Sequence, residues 1–539
     1  MNRPRISRPP RSSALTRGRF LLTCAAIFAL RTHAATAPTC IDPGVLASDA
    51  TVDYGEPGHA EHPNTVRFLR LDDGTLRAED AQTHAQLWRY RPPESLLEPE
   101  GTGPLGPLGI LRFDANDDGI IDPLAGDRIW LYFGLRNRGR AYIALDASSR
   151  TRAQVLWIDR GDVLPHLGLA WAQPAIGRLR IAGSEQNSEH LVVWLAGGVP
   201  GNRQIDTPQP GVEGSRIYAV DAASGARLWH AGAAFADDAP ELELPRMSFG
   251  IAAQIVPVQL DGAGDVARLY VADTGGQVWR IDLMPHQTAG TLAAGGLIAS
   301  LGLAESPPVG GADAREFFAA PAIALMSPPG APPYFAIVLG SGDALSVDSV
   351  ATHDRLFAVR DFEPFAPLDA AGFAARHPIL DRDLWFIADT NELSSVPASA
   401  PGWKLNLRDA GEKILNAGMI AGGVAMVPAF TPAPQSSECA QGTNRVLALR
   451  VDSARPALDL NDDGLVDARD LSIELNEKNI APEVRVTIAT PPSPQSHRDA
   501  RQLDALGRQC TCHEAAEALP DCPQPGAVLR TWWRRDSVR

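Results

Sequence analysis

Two short acidic stretches carry the residue types and spacing of a calcium-binding loop. The first runs Asp114-Ala-Asn116-Asp-Asp118-Gly119-Ile120-Ile-Asp122, and the second Asp459-Leu-Asn461-Asp-Asp463-Gly464-Leu465-Val-Asp467-Ala-Arg-Asp470. Each puts side-chain oxygens at positions 1, 3 and 5, glycine at 6, a backbone carbonyl at 7 and a carboxylate at 9, the order in which an EF-hand loop wraps Ca2+. The expected ligands are therefore Asp114, Asn116, Asp118, the Ile120 carbonyl and Asp122 in one loop. In the other they are Asp459, Asn461, Asp463, the Leu465 carbonyl, Asp467 and, at position 12, Asp470 in place of the usual glutamate. Leu471, Ile473 and Leu475 follow and read as the start of an exiting helix. The first loop has Ala125 at position 12, which leaves Asp127 or a water to complete the shell. Asp, Asn and Gly also build ordinary solvated turns, but four or five oxygens in a two-residue rhythm repel one another unless a cation sits among them.

Other candidate chemistry is thinner. Arg160-Gly161-Asp162 is an integrin-type tripeptide, yet the Arg, Gly and Asp content of the chain makes one such match unsurprising. Gly340-Ser341-Gly342 lacks the Gly-x-Ser-x-Gly spacing of a nucleophile elbow, and no His and acid set stands at zincin spacing. These absences lead to the expectation that the protein is not an enzyme. Cys510-Thr-Cys512-His513 lacks the two-residue gap of a haem-attachment or zinc motif. A disulfide within Cys510 to Cys522 is favoured over metal, with the pairing left open.

What must position the loops is set by the whole chain. Residues 1–34 read as a secretory signal: seven arginines, no acid, an apolar core from Phe20 to Leu30 and Ala34 at a cleavage position. That core is too short to span a bilayer, and no transmembrane segment is expected after cleavage. Cys24 hints at lipidation, but most of the apolar run follows it. Loss of those seven charges takes the formal net charge from −15 to −22, which argues against nucleic acid as a partner and suits divalent cations or basic surfaces. Five cysteines remain after export (Cys40, Cys439, Cys510, Cys512 and Cys522), an odd number that leaves one thiol free or bonded to another chain.

A strand-turn-strand phrase recurs: Leu76 to Asp80 with Leu87-Trp88, Tyr142 to Asp146 with Leu156-Trp157, and Ile217 to Gly225 with Leu228-Trp229. In each an alternating apolar run stops at Asp, a polar turn follows and a second strand closes on Leu-Trp. Weaker copies stand at Val278–Asp282, Leu356–Asp361 and Val446–Leu449. Such repeated sheet units cannot bury both faces alone, so the chain is expected to be all-β, a β-propeller of about six to eight blades with tryptophans between neighbours. Its expected parts are an N-terminal extension at 35–64, the propeller at 65–480 with the two calcium loops as insertions, and a cysteine-bearing tail at 481–539. The tail is expected to be irregular until Ala527 to Trp533, which reads as a closing strand.

The phrase Arg268-Leu-Tyr270-Val-Ala-Asp273-Thr274-Gly275-Gly276-Gln277-Val278-Trp279-Arg280-Ile281-Asp282 resembles the C-terminal propeller of the PilY family of type IV pilus biogenesis proteins. The resemblance continues in order through Leu167 to Pro174, Leu339 to Asp343, Gly402 to Leu407 and Ala421 to Val424, covering roughly residues 65–450. It implies an exported factor that helps pili assemble, opposes their retraction and can sit at the tip as an adhesin. Implied partners are pilins or minor pilins and a host surface receptor, and implied locations are the periplasm, the outer-membrane surface or the pilus tip of a Gram-negative bacterium. It also implies calcium control of extension and retraction, through a loop that here would be Gln259-Leu-Asp261-Gly-Ala263-Gly264-Asp265-Val-Ala267. That position has lost too many oxygens to hold a six- to eight-coordinate ion. The loop ending at Asp470 resembles dockerin loops instead. The family's long N-terminal region with a von Willebrand A-like module has no counterpart in the roughly 30 residues that precede the first propeller phrase, so any role of that module is in doubt. The Tyr218 to Trp229 phrase also resembles quinoprotein dehydrogenase repeats, but no adjacent cysteine pair is present. A scaffold of the outer-membrane assembly type is a further alternative.

Overall fold

The computed structural model describes residues 48–55, 64–99, 101–182, 189–201, 208–260, 264–302, 314–387, 396–433, 442–461 and 463–475, and the backbone of 501–503 and 509–511. The chain divides into two compact units, Ala35–Arg485 with Leu519–Arg539, and Met1–Ala34 with Val486–Ala518.

Among the described residues, alternating apolar side chains drive the larger unit into six mainly antiparallel sheets, taken here in chain order. The first sheet contains β1 (Ser48–Asp53), β2 (Thr65–Arg70), β3 (Leu76–Asp80) and β4 (Gln86–Tyr90), hydrogen-bonded in that order. The second repeats the meander with β5 (Gly109–Phe113), β6 (Arg128–Gly134), β7 (Tyr142–Asp146) and β8 (Gln154–Asp159). The third has β9 (Ala175–Arg180), β10 (Glu189–Ala196), β11 (Arg216–Asp221) and β12 (Arg227–Gly232), with β13 (Leu242–Glu243) added parallel to β12. The fourth is built from β14 (Val256–Val258), β15 (Arg268–Ala272), β16 (Gln277–Leu283) and β17 (Ala293–Ser300).

The fifth sheet starts with β18 (Ala322–Met326), β19 (Tyr334–Gly340) and β20 (Arg355–Asp361). The chain then leaves it. A short helix, α1 (Ala370–Ala374), leads to β21 (Ile379–Leu380), which lies parallel to β17 on the outside of the fourth sheet. It returns through β22 (Trp385–Ile387) and β23 (Gly402–Asn406), which finish the fifth sheet as a parallel pair. The sixth sheet is β24 (Met419–Ala421), β25 (Val424–Thr431), β26 (Thr443–Arg450) and β27 (Ser472–Leu475). In the smaller unit β28 (Arg501–Leu503) pairs antiparallel with β29 (Gln509–Thr511).

Sheets of this kind bury both faces by stacking, and the apolar clusters fall between successive sheets. Phe68 and Trp88 meet Leu131 and Ile143, and Tyr132 and Trp157 meet Val193 and Tyr218. Trp194 and Trp229 meet Val271 and Trp279, Tyr270 meets Phe335, and Trp403 meets Val427. First strands sit beside first strands, β5 against β9, β9 against β14 and β18 against β24, as in blades arranged about an axis. The protein is a β-propeller, and the described residues supply six of its sheets. A buried charge lattice ties the fourth sheet to the fifth. Arg268 and Arg280 both bond Asp282, Arg280 also bonds Asp361 at 2.8 Å, and Tyr270 donates its hydroxyl to Asp361 at 2.7 Å.

Three expectations need correction. The propeller begins before residue 65, because β1 at Ser48–Asp53 is the first strand of the first sheet. No helix exits the second loop: a single 3-10 turn, Ala468–Leu471, is followed directly by β27, whose partners are Asn444 to Leu447. Leu471 ends that turn, and Ile473 and Leu475 lie along the extended strand. The stretch before Ala527 is not wholly irregular, since β28 and β29 occupy it. The signal segment, Ala527 to Trp533 and every proposed disulfide partner of Cys510 lie outside the described residues. No described helix is long and apolar enough to cross a membrane.

Candidate functional site

The first acidic loop joins β5 to β6, and the second lies in the connection between β26 and β27. Their sequences fold locally because each short side chain accepts an amide two to five residues ahead. Asp114 Oδ2 accepts from Gly119 N at 2.8 Å, and Asp459 Oδ2 accepts from Gly464 N at 2.8 Å. Asn116 Oδ1 accepts from Asp118 N at 3.3 Å, and Asn461 Oδ1 from Asp463 N at 3.0 Å. Asp118 Oδ1 takes Ile120 N at 2.8 Å, and Asp463 Oδ1 takes Leu465 N at 2.9 Å. Asp122 Oδ1 takes Leu124 N at 2.9 Å, and Asp467 Oδ1 takes Arg469 N at 2.8 Å. Gly119 and Gly464 turn the chain with φ of 80° and 84°, a region closed to most side chains.

The two loops also share a closing acid, although only one shows it at the expected spacing. Asp470, fully buried, takes Leu460 N at 2.9 Å on Oδ1 and Asp467 N at 2.9 Å on Oδ2. Asp127, also fully buried, takes Ala115 N at 2.7 Å on Oδ1 and Asp122 N at 2.8 Å on Oδ2. In both cases the acid bonds loop positions 2 and 9. Asp127 thus fills the role of Asp470 from two residues further along the chain.

The surroundings of the loops differ. Asp114 has only 8% of its side chain exposed, and its Oδ1 is buried without a hydrogen-bond partner. Arg112 stands 3.7 Å from the other oxygen, Oδ2, and donates to Gly119 O at 3.0 Å. In the second loop Arg469 bonds Asp463 at 2.6 Å and Asp467 at 2.7 Å. Those bonds, the side-chain ones first and the Arg469 amide next, hold the Asp467 carboxyl below its usual range. Among the described residues no group of three or more His, Cys, Asp or Glu is gathered at a spacing that could hold a metal ion. The donor set of the first loop still fits a hard cation in kind, because Asp114 Oδ1 is an anionic oxygen left buried with nothing to bind.

The remaining sequence candidates separate from these loops. Asp265 is ion-paired with Arg178 at 3.1 Å and Arg180 at 3.4 Å, and Gln259 donates to Gly264 O at 2.8 Å, so arginines neutralise what oxygen survives there. Arg160 and Asp162 are exposed after β8 and pair with each other at 3.4 Å. Ser341 donates to Asp354 at 2.6 Å within a buried turn, a structural bond.

The fold is similar to that of the PilY1 C-terminal domain of Pseudomonas aeruginosa, with a TM-score of 0.54 and 16% identity over 80% of this chain and 89% of that one. Quinohemoprotein alcohol dehydrogenase from Comamonas testosteroni follows at a TM-score of 0.39 and 12% identity, over 77% of this chain and 60% of that one. BamB from Moraxella catarrhalis has a TM-score of 0.34 and 13% identity, over 87% and 92%. No protein-family model matches the chain, and no curated protein matches it.

Proposed function

We propose that this chain is an exported, non-catalytic, calcium-binding propeller that acts in type IV pilus biogenesis, helping pili assemble and setting the balance of extension and retraction. The observation that carries this reading is the likeness of fold to the PilY1 C-terminal domain over most of both chains. The phrase Arg268 to Asp282 adds to it. It forms the β15–β16 hairpin, with Asp273 capping the turn through Gly275 N at 2.9 Å and Gln277 N at 3.0 Å. The proposed partners are pilins or minor pilins, and the proposed places of action are the periplasm, the outer-membrane surface or the pilus tip, where the protein could also meet a host receptor.

In this reading Asp114, Asn116, Asp118, the Ile120 carbonyl and Asp122 hold one Ca2+, and Asp459, Asn461, Asp463, the Leu465 carbonyl, Asp467 and Asp470 hold another. Bound calcium would supply the positive charge that lets each set of oxygens stand together. The first loop has a direct route to its neighbour: Ile121 N donates to Tyr54 O at 2.8 Å, and Arg112 Nε to Asp53 O at 3.4 Å. Ordering that loop would therefore order the end of β1. Deletion of the gene, with pili and twitching scored over a range of calcium concentrations, tests the assignment. Loss or calcium-insensitivity of pili is expected, and normal pili at every concentration would sink it.

A further inference from the structure

The eleventh position separates the two loops. In the first it is Leu124, whose side chain is 96% exposed and carries no charge. In the second it is Arg469, 61% exposed, and its guanidinium lies on two of the presumed ligands. Nη2 is 2.6 Å from Asp463 Oδ2 and 2.7 Å from Asp467 Oδ2, and Nε is 3.1 Å from each oxygen of Asp467. These are the acids at positions 5 and 9. Their counterparts in the first loop, Asp118 and Asp122, accept from neutral groups: Asn116 Nδ2 at 2.9 Å with Ile120 N, and Leu124 N. Arg112 approaches the Asp114 oxygen already bonded to Gly119, Arg128 donates to the carbonyls of Pro123 and Asp127, and the buried Oδ1 of Asp114 is left over.

We propose that Arg469 is a built-in competitor for the cation of the second loop, so that the two loops fill in sequence as calcium rises, Asp114 to Asp127 first and Asp459 to Asp470 second. The inference rests on the calcium reading above and adds an affinity-setting residue and an order to it. To bind, a divalent ion must draw Asp463 and Asp467 away from a guanidinium that returns to solvent, whereas Asp118 and Asp122, at the same positions of the first loop, accept only from neutral donors. A monovalent charge held next to a divalent one in a solvated loop weakens binding by about tenfold at moderate salt. The protein would then sense calcium over a wider range than two equal sites allow.

Because both residues are largely exposed, they can be exchanged with little risk to folding. Isothermal titration of the full mature chain with CaCl2 would be run on wild type, Arg469→Leu and Leu124→Arg, with Asp114→Ala and Asp459→Ala assigning each event to a loop. Two events are expected in wild type, the tighter one lost in Asp114→Ala. Arg469→Leu should tighten the weaker event about tenfold and leave the other unchanged, and Leu124→Arg should weaken the tighter one. If Arg469→Leu moves neither event, or Asp459→Ala removes the tighter one, the competitor role is refuted while calcium binding stands. Absence of heat in wild type and Arg469→Leu alike would overturn the calcium reading itself.

Discussion

Replacing Asp127 with alanine should loosen the first loop as a unit, although the residue lies outside the stretch that spells a calcium loop. Its carboxylate is fully buried and accepts two amides, Ala115 N at 2.7 Å and Asp122 N at 2.8 Å. Hydrogen bonds to a charged group contribute about 1.5 to 3 kcal/mol each. Ala115 and Asp122 are exposed residues, so water can reach part of what the variant frees, and a net loss of about 2 to 4 kcal/mol follows. Global unfolding of a protein built of many sheets need not be two-state, so the assay should be local. Hydrogen exchange of peptides covering 112–128, without calcium and in excess calcium, should show protection falling by one to three orders of magnitude in Asp127→Ala. Asp127→Asn is the control: one acceptor oxygen survives, but its NH2 faces an amide donor, so an intermediate loss is expected. Asp470→Ala should act in the same way on the second loop. If Asp127→Ala left protection of 112–128 at the wild-type level, the equivalence of Asp127 and Asp470 would be wrong.

One further outcome follows from a buried carboxyl and another from a tight backbone contact. Burial pushes the Asp273 carboxyl up to about 7 against the bonds from Trp279 Nε1, Gln277 N and Gly275 N. A carboxyl that holds its proton more tightly when folded contributes stability below its unfolded pKa, about 4, and loses it as pH rises toward 7. Urea midpoints should therefore decline across that window, and a flat profile from pH 4 to 7 would count against a protonated Asp273. Gly55 has φ of 69°, and a Cβ there would lie 2.8 Å from Ile120 Cα. Gly55→Val should separate β1 from the first loop and raise proteolysis near residues 53–55; an unchanged digestion pattern would show that the contact is dispensable.

The legible part of the architecture is the part encoded over short distances. Asp80 and Asp221 end β3 and β11 because each accepts turn amides, Gln82 N at 3.0 Å in one and Ser224 N at 2.8 Å in the other. The hairpins, the tryptophans between sheets and the loop order all follow from such local rules. In the sequence Asp127 is legible only as an alternative to a water, because two extra residues separate it from Asp122 without changing which amides it meets. The helix expected after Asp470 failed for a different reason. Ser472–Leu475 finds its ladder at Asn444 to Leu447, and a short apolar alternation does not announce a partner some thirty residues back. The parallel strands β13, β21 and β22 are two or three residues long and take their identity from the edge they meet, so they leave almost no local signal.

The excursion of the fifth sheet has a consequence for how the protein is made. β21, at Ile379–Leu380, pairs with Ala299 and Ser300 on the outer edge of the fourth sheet, and the charge lattice closes only when Asp361 reaches Arg280. A chain that emerges from its N-terminus would complete its first three blades from contiguous sequence. The fourth would wait for the fifth, and the two would mature together as one step of vectorial assembly.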